Sequence, residues 1–373
     1  MARAPVLQET EETPEADRLD GFPHPRATDR MFSHDGAEAA FAEAFQSGRM
    51  HHGWLINGHE GIGKATLAYR MARFALSLPG ERGLGARALD VPLKSVAARQ
   101  VLALSHPGLL VIRRPWDQKL KRFLTVISVD EVRRIKSFLT HSTGTNAWRV
   151  IIVDQADELN IAAANALLKS LEEPPPRTLF LLVTSEPGRL LTTIRSRCRR
   201  LDLEGLTEPD IKEAVTQAVA AGGGSPIDAK SWPMLIEAAQ GSVRRLLALS
   251  RSEGLGVHAK LKEVVSSLPR LDWTLVHALA DEVTGAGNEQ RFEQAMDLLS
   301  DTISRLVRVR AVGAGDAVTL ALAERLVPAH GLASWAELWE TVQTKRAETA
   351  ALNLDRKTLI LETFARMQAA SRG

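Results

Sequence analysis

A glycine-rich stretch early in the chain has the residue types and spacing that phosphate binding requires. In INGHEGIGKATLA, residues 56–68, Gly58, Gly63 and Lys64 fit the pattern G-x-x-x-x-G-K-[ST]. Such a loop turns backbone N–H groups toward an anion, and the helix that follows adds positive potential. The pattern predicts a phosphate-binding loop that includes Gly61, with Lys64 directed at the outer phosphates of a nucleotide. An ordinary glycine-rich turn is the alternative.

Two positions depart from what nucleotide hydrolysis requires. Ala65 replaces the hydroxyl that would hold magnesium, although Thr66 follows it. Asp154, at the end of the apolar run RVIIVD, is in the place of the carboxylate that organises magnesium. The next residue is Gln155, where hydrolysing proteins of this type usually have a glutamate. An amide cannot accept a proton, and loss of a general base typically costs ~10²–10⁴ in rate.

Asp157 and Glu158 follow, and they have two explanations. They are candidate substitutes for the missing base, or they are first-turn charges that stabilise a helix. The polar pair Thr184 and Ser185 closes the next apolar run. At this strand end, one of the two side chains would contact the outer phosphate of a nucleotide, or the pair would simply begin a turn before Pro187.

Apolar runs and helical periodicity predict the elements that position these residues. Strands are predicted at residues 53–57, 108–114, 124–128, 149–154 and 178–185, with helices at 64–78, 129–141 and 161–173. This alternation indicates a parallel sheet with helices on both faces. The glycine loop lies between a strand and a helix, as its motif requires. After Leu206 only amphipathic helical stretches are predicted.

Length and composition predict several domains. We expect a disordered acidic tail at 1–22, an α/β P-loop domain at 23–204, a small helical lid domain at 205–253 and an all-helical domain at 254–373. The 47 Lys and Arg nearly balance the 45 Asp and Glu, so any basic surface must be local. Cys198 is the only cysteine, which excludes an intrachain disulfide and suits a reducing cytoplasm. No apolar run approaches the ~18 residues of a membrane span, so no membrane partner is expected.

Further motifs carry a family resemblance. NALLKSLEEPPPRTLFLLVTSEP (165–187), followed by TTIRSRC (192–198), resembles the clamp-loader branch of the AAA+ ATPases, and LLKSLEEPP combined with Ser196-Arg197-Cys198 is highly specific for it. With HHGWLINGHEGIGKATLA and NLDRKTLILETF, the resemblance covers nearly the whole chain after the tail. It implies an AAA+ P-loop domain, a helical lid and a collar domain through which five subunits form a ring. That ring opens a sliding clamp and loads it on primed DNA.

The resemblance also assigns roles to individual residues. Gly58, Gly63 and Lys64 match the phosphate loop, Asp154 the second strand motif, Thr184 the first sensor, Arg244 in GSVRRLL the second sensor, and Pro25 and Arg26 the segment beside the adenine. Arg197 matches the arginine finger, which acts in trans on a neighbour's ATP. The implied partners are the delta and tau/gamma subunits of a bacterial clamp loader, the clamp and primed DNA.

Where the sequence departs from the family, it modifies these expectations. Ala65 and Gln155 together predict a stator-like subunit that binds ATP or ADP without hydrolysis, with magnesium doubtful. Many relatives also have a cysteine-ligated zinc module after the first helix, but the corresponding residues 89–109 contain no cysteine. We therefore expect no zinc, with the segment persisting as a helix held by its apolar residues.

Two other functions remain open at this point. An active motor subunit would need Thr66 and Glu158 as replacements, although a one-residue shift on a helix turns a side chain by about 100°. A nucleic-acid-binding adaptor is suggested by RRPWDQKLKR, residues 113–122, where basic residues surround Trp116. An exposed hairpin with ordinary solvated charges is the simpler explanation of that segment.

Overall fold

The structure, a computed structural model, describes residues 14–82, 87–140, 147–251, 254–285, 287–314 and 317–372. It divides the chain into two compact units. One comprises Met1–Ala229 with Ala239–Leu247, and the other comprises Lys230–Ala238 with Ala248–Gly373. Residues 1–13 of the predicted tail lie outside the described residues. Within the described ranges, no helix is both long enough and apolar enough to cross a bilayer.

The first unit is built on strands that run parallel. In chain order the strands are β1 (Gly53–Asn57), β2 (Leu109–Ile112), β3 (Trp116–Asp117), β4 (Arg122–Phe123), β5 (Arg149–Val153), β6 (Thr178–Thr184) and β7 (Arg199–Asp202). Five of them form a sheet in the order β2-β5-β6-β1-β7, and every pairing in it is parallel. Strands β3 and β4 form a separate antiparallel hairpin. The carboxyl ends of the five strands therefore meet at one edge, where ligands bind in sheets of this kind.

Helices cover the sheet because its strands are apolar on both faces. Those of the first unit are α1 (Asp35–Gln46), α2 (Lys64–Leu76), α3 (Val96–Leu102), α4 (Val129–Thr140), α5 (Ile161–Glu172), α6 (Thr192–Arg195) and α7 (Glu208–Ala221), followed by α8 (Trp232–Ala239) and α9 (Val243–Arg251), which extend across the boundary between the units. All seven residues of β6 are buried. Phe180 and Leu182 pack with Leu167 of α5 and Ile135 of α4 in one core. Burying each such side chain stabilises the fold by roughly 1.5–3 kcal/mol.

The second unit contains helices only among its described residues. They are α10 (Gly254–Ser267), α11 (Trp273–Thr284), α12 (Glu289–Val312), α13 (Ala317–Leu326), α14 (Leu332–Leu352) and α15 (Arg356–Arg372). Helix α12 packs against α10, α13 and α14. Trp335 and Phe364 are fully buried, and the Trp335 indole N–H donates to the Ala370 carbonyl at 3.3 Å. The predicted fold class, a P-loop α/β domain followed by a helical region, is confirmed.

Some elements differ from the sequence-based predictions. Residues 124–128 do not form a strand of the sheet, because Ile127 donates to Glu158 and accepts from Asn160 in a single bridge beside the loop that precedes α5. Strand β7 was not predicted, since its side chains are mostly exposed and polar. Its backbone pairs with β1, and the Asn57 side chain donates to Asp202 at 2.7 Å. The helix expected within residues 89–109 is present as α3, with Ser95 capping its first turn.

Candidate nucleotide-binding site

The glycine loop connects the carboxyl end of β1 to the first residue of α2. Gly58, Gly61 and Gly63 have φ values of 151°, 78° and 104°, which side chains rarely tolerate. A Cβ on Gly61 would also lie 2.3 Å from the Ser242 hydroxyl oxygen. The loop therefore requires glycine both for its backbone conformation and for its close packing.

The loop opens into a cavity of about 560 Å³ that lies within the first unit. Eight of the predicted site residues line it: Pro25, Gly61, Gly63, Lys64, Ala65, Thr66, Asp154 and Arg244. Gly58, Arg26 and Thr184, all described by the structure, are not among its lining residues. The volume falls within the range of small-molecule pockets. Loop, strand ends and α9 thus meet around one space.

The Lys64 ammonium group is held by its own chain. Its Nζ atom donates to the carbonyls of Gly58 at 2.7 Å and His59 at 2.6 Å, and to the Ser185 hydroxyl at 2.9 Å. Burial lowers the pKa of Lys64 to about 8, although the charges of Glu60, Asp154 and Asp157 oppose the shift. Because an ammonium has three N–H groups, a phosphate must displace at least one of these acceptors to bind it.

Asp154 is buried at the end of β5 and titrates abnormally. Burial raises its pKa to about 7, and the charge of Asp17 adds to the increase. Lys64, Arg113 and Arg244 act in the opposite direction without cancelling it. The carboxyl group therefore keeps its proton to a higher pH than an exposed aspartate does.

The turn after Asp154 orients its polar groups toward Arg114. Gln155 adopts the left-handed conformation at φ 55°, and its side-chain oxygen accepts from Arg114 at 3.4 Å. Arg114 Nε lies 2.7 Å from Glu158 Oε2 in an ion pair. Burial raises the pKa of Glu158, and the adjacent Arg114 charge opposes the increase. Glu158 is not among the cavity-lining residues, so it is not placed as a base for this site.

Of the two polar residues at the end of β6, the structure places Ser185 in the cavity. Successive strand residues point to opposite faces, so Ser185 and Thr184 cannot both face it. Ser185 accepts from Lys64, and its backbone N–H donates to Asp157 at 3.2 Å. Thr184 is fully buried, and its hydroxyl has no hydrogen-bond partner among the described residues. The paired Thr-Ser sequence indicated this position without showing which residue lines the cavity.

Arg244 lies across the loop from Lys64. Its guanidinium Nε is 3.2 Å from Glu60 Oε1, and its backbone N–H donates to Gly61 at 3.4 Å. The side chain is 35% exposed, so it is free of the close packing that immobilises Lys64. A second cation thus faces the loop, as the sequence predicted.

The segment that leads to Pro25 is anchored by buried ion pairs. Arg113 donates to Asp17 at 2.7 Å and also bonds to Glu15, while His24 Nε2 lies 2.9 Å from Asp17. Burial raises the pKa of Asp17, but the hydrogen bond from His24 and the charges of His24 and Arg113 outweigh it and lower the pKa to about 2. Arg26 donates to Glu15 at 2.7 Å. Ion pairs therefore hold both carboxylates in the part of the predicted tail that the structure describes.

Arg197 lies outside the cavity, in the turn between α6 and β7. Its Nη2 atom is 3.0 Å from Glu172 Oε1, and Nη1 donates to the Thr193 carbonyl at 3.0 Å. The side chain is 38% exposed. Within this chain the guanidinium is accessible but already paired with a carboxylate of the LLKSLEEPP motif.

Known proteins resemble this chain over its first unit and beyond. Residues 33–207 match the model of a family described as DNA polymerase III, delta subunit. The chain is 33% identical over 266 residues to DNA polymerase III subunit delta' of Escherichia coli, covering 70% of this chain and 72% of that protein. It is 35% identical over 191 residues to subunit delta' of Pseudomonas aeruginosa, covering 48% of this chain and 55% of the relative.

Subunit gamma of Buchnera aphidicola is 30% identical over 210 residues, covering 56% of this chain and 53% of that protein. The chain thus spans about half the length of the Buchnera and Pseudomonas relatives. A gamma subunit-related protein from Thermotoga maritima aligns over 89% of this chain and 99% of its own, with 17% identity and a TM-score of 0.37.

A phosphate loop at the carboxyl edge of this parallel sheet defines a P-loop domain of the AAA+ class. Together with the delta' relative from E. coli, it establishes that the chain belongs to the clamp-loader subunits of bacterial DNA polymerase III. The family resemblance read from LLKSLEEPP and Ser196-Arg197-Cys198 is confirmed.

Asp154→Asn is expected to change how stability depends on pH. The folded pKa of about 7 lies above the value of ~3.9 for an unfolded aspartate, so the unfolded chain loses its proton first. The contribution of Asp154 to the free energy of unfolding of the natural protein should therefore fall as pH rises from about 4 to 7. Asparagine cannot ionise, so the variant does not lose this stability as pH rises. The free energy of unfolding of the variant minus that of the natural protein should therefore be larger at pH 8 than at pH 5.

Urea titrations at the two pH values measure this difference. Asp130→Asn, in which the carboxylate is 79% exposed, controls for the loss of one negative charge. A stability difference between Asp154→Asn and the natural protein that is equal at pH 5 and pH 8 would contradict the prediction.

Proposed function

We propose that this protein is a delta'-type, non-motor subunit of the DNA polymerase III clamp loader. The observation that carries the proposal is a retained phosphate cradle from which two catalytic groups are missing. Ala65 has no hydroxyl to hold magnesium, and the amide of Gln155 cannot accept a proton from water. The subunit would then contribute to catalysis through Arg197, whose guanidinium would act on the ATP bound by a neighbouring subunit.

The proposed partners are delta and tau/gamma subunits in a five-membered ring. As a component of the DNA polymerase III holoenzyme, the ring would open the sliding clamp and load it on primed DNA. The delta' and gamma relatives support membership of such an assembly. The helices of residues 254–373 would form the collar that holds the ring together, with residues 205–253 as the lid.

We further propose that ATP or ADP binds in the cavity without hydrolysis. Lys64 and Arg244 supply positive charge there, and the N–H groups of the loop supply donors for phosphate. Pro25 and Phe22 line the apolar part, which suits a base. We do not expect magnesium to be held tightly, because Ala65 has no side-chain oxygen to act as its ligand.

An active motor is the less favoured function. Thr66 does line the cavity, so its position alone does not exclude a role with magnesium. Glu158, the candidate base, is paired with Arg114 and does not line the cavity. Neither of the two candidate replacement bases, Asp157 and Glu158, is therefore among the residues that line the cavity.

The isolated protein is expected to hydrolyse ATP no faster than a buffer control with magnesium. Phosphate release by the purified full chain measures this, with a motor subunit of a clamp loader as positive control. The proposal fails if turnover approaches that of the motor subunit and Lys64→Ala abolishes it, since contaminating ATPases would not respond to that substitution.

Arg197 is suited to act on phosphate because its planar guanidinium can bridge two oxygens. Such fingers contribute ~10³–10⁵ in rate, or roughly 4–7 kcal/mol of transition-state stabilisation. To bind a phosphate of the neighbouring subunit, the guanidinium must first release Glu172. The cost is small, since an ion pair with both partners more than one-third exposed is worth at most ~1 kcal/mol.

The Arg197→Ala variant should fold and join the reconstituted ring. It should reduce the ATP turnover and clamp loading of that ring, and the reduction should be only partial if other subunit interfaces also carry arginine fingers. Lysine at this position should restore little, because it keeps the charge but loses the fork. Arg195→Ala is the matched control, since Arg195 is an exposed residue of the same segment that bonds to Thr192 at 3.2 Å.

Assays of ring ATP turnover and thermal melting of the isolated chain separate two roles for Arg197. If Arg197→Ala lowers the melting temperature and leaves ring turnover unchanged, the residue only pairs with Glu172 and the finger proposal is refuted. Unchanged melting with reduced turnover supports the finger.

We propose that the protein holds no structural zinc. A four-ligand site normally draws on several Cys or on a Cys/His cluster, and residues 89–109 offer only His106. Helix α3 is instead stabilised by burying Ala97, Ala98 and Val101. Elemental analysis of the purified chain should give far less than one zinc per molecule, and stoichiometric zinc that resists chelation would overturn the proposal.

A further inference from the structure

The β3–β4 hairpin and the helix after it concentrate basic charge that the proposed function does not use. Residues 113–136 contain eight Lys or Arg and three Asp or Glu, whereas the whole chain has a net charge of only +2. From residue 118 to residue 129 there is no acidic residue. This local excess of positive charge is what an anionic partner would meet.

Most cations at the base of this region are already paired. Arg113 bonds to Asp17 and Arg114 to Glu158. On α4, Arg133 pairs with Asp130 and Arg134 with Glu131. These pairs leave little unbalanced charge away from the hairpin tip.

The tip residues differ from those at the base. Lys119, Lys121 and Arg122 are exposed, and none of them forms an ion pair with any residue that the structure describes. The nearest carboxylate in sequence, Asp117, accepts hydrogen bonds from the backbone N–H groups of Lys119 at 2.8 Å and Leu120 at 3.0 Å. It therefore caps the turn and does not pair with the three cations.

The hairpin is also preorganised. Trp116 and Phe123 face each other across its two strands, with ring centroids 4.9 Å apart in an edge-to-face arrangement. Leu124 donates to Pro115 at 3.0 Å and closes the base. A fixed ribbon loses less conformational entropy on binding than a flexible loop, so its cations bind an extended polyanion at lower cost.

We propose that this hairpin tip is a direct contact for the sugar–phosphate backbone of DNA, with Lys119, Lys121 and Arg122 as the phosphate ligands. Trp116 is packed against Phe123, so the rings serve as a hairpin core and not as a base-stacking platform. Contact through charge alone positions a protein on DNA without reading its sequence. Binding is therefore independent of sequence and strongly dependent on salt.

A nucleic acid fits the tip better than an acidic protein. Three of the four residues 119–122 are cations, and Leu120 is the single apolar side chain among them, 57% exposed. A protein partner would need to cover Leu120, because apolar contact forms the core of protein interfaces. A phosphate backbone needs only the cations, so the two partners make opposite predictions for Leu120→Ala.

The test measures binding of the purified full chain to a fluorescein-labelled primed-template duplex by anisotropy, over a range of NaCl concentrations. The variant Lys119→Ala/Lys121→Ala/Arg122→Ala should bind about tenfold or more weakly at low salt. The slope of log affinity against log salt should fall in magnitude by roughly 2–3, since each duplex phosphate contact contributes about 0.9. Repeating the measurement with the labelled single strand distinguishes which form is contacted, because there each contact contributes about 0.7.

The matched control removes three other exposed cations that form no ion pair with described residues, as Arg49→Ala/Lys94→Ala/Arg99→Ala. It should bind DNA within about twofold of the natural chain. Lys119→Arg/Lys121→Arg/Arg122→Lys keeps the charges and should bind as the natural chain does. Leu120→Ala should leave DNA affinity unchanged.

Equal losses in the hairpin variant and the control would overturn the proposal, since binding would then follow total charge. An unchanged DNA affinity of the hairpin variant, or a loss of DNA affinity caused by Leu120→Ala, would also overturn it. Melting curves verify that each variant is folded. The assay requires neither ring assembly nor ATP turnover, so its failure is distinguishable from failure of the proposed clamp-loader function.

Discussion

Strand β1 pairs in parallel with a strand on each side, and this pairing fixes the positions of the functional residues at both ends of β1. At its carboxyl end, the pairing of Asn57 with Thr184 and Asp202 fixes where the glycine loop begins. At its amino end, a Cβ on Gly53 would lie 3.1 Å from both the Arg197 carbonyl and the Cys198 sulfur. The phosphate loop and the turn that bears Arg197 are thus held at opposite ends of one buried strand, and a change in its pairing would move both.

The carboxyl edge of the sheet is stabilised as one electrostatic unit. Asp17 raises the pKa of Asp154, whereas Arg113 and Lys64 lower it, and Arg113 is itself bonded to Asp17. Removing one member of such a group leaves another buried charge uncompensated, which is costly in a medium of low dielectric constant. The segment before Pro25 is therefore coupled to the site, because the Asp17 charge adds to the effect of burial on the pKa of Asp154.

Predictions from the sequence succeeded where one physical signal dominated. Strands β1, β5 and β6 are apolar on both faces, so their burial was visible in composition alone. Strand β7 is held to β1 mainly by backbone pairing, which its two adjacent, exposed arginines conceal. The position of Ser185 beside Lys64 and the pairing of Glu158 with Arg114 depend on contacts between residues distant in sequence, which no local pattern encodes. For the same reason, the sequence did not predict that Glu15 and Asp17 are held in place by ion pairs.

A phosphate cradle can persist after its chemistry is lost, because its contacts also stabilise the fold. Lys64 joins the loop to Ser185, whose backbone N–H joins the end of β6 to Asp157 in the turn after β5. That turn keeps Gln155 in a left-handed conformation, which costs a non-glycine residue of order 1 kcal/mol or more and persists only where the surroundings hold it. Ala65 and Gln155 interrupt none of these contacts. Replacing Lys64 would break the connection, so its contacts alone give the fold a reason to keep the lysine, whether or not the site hydrolyses a nucleotide.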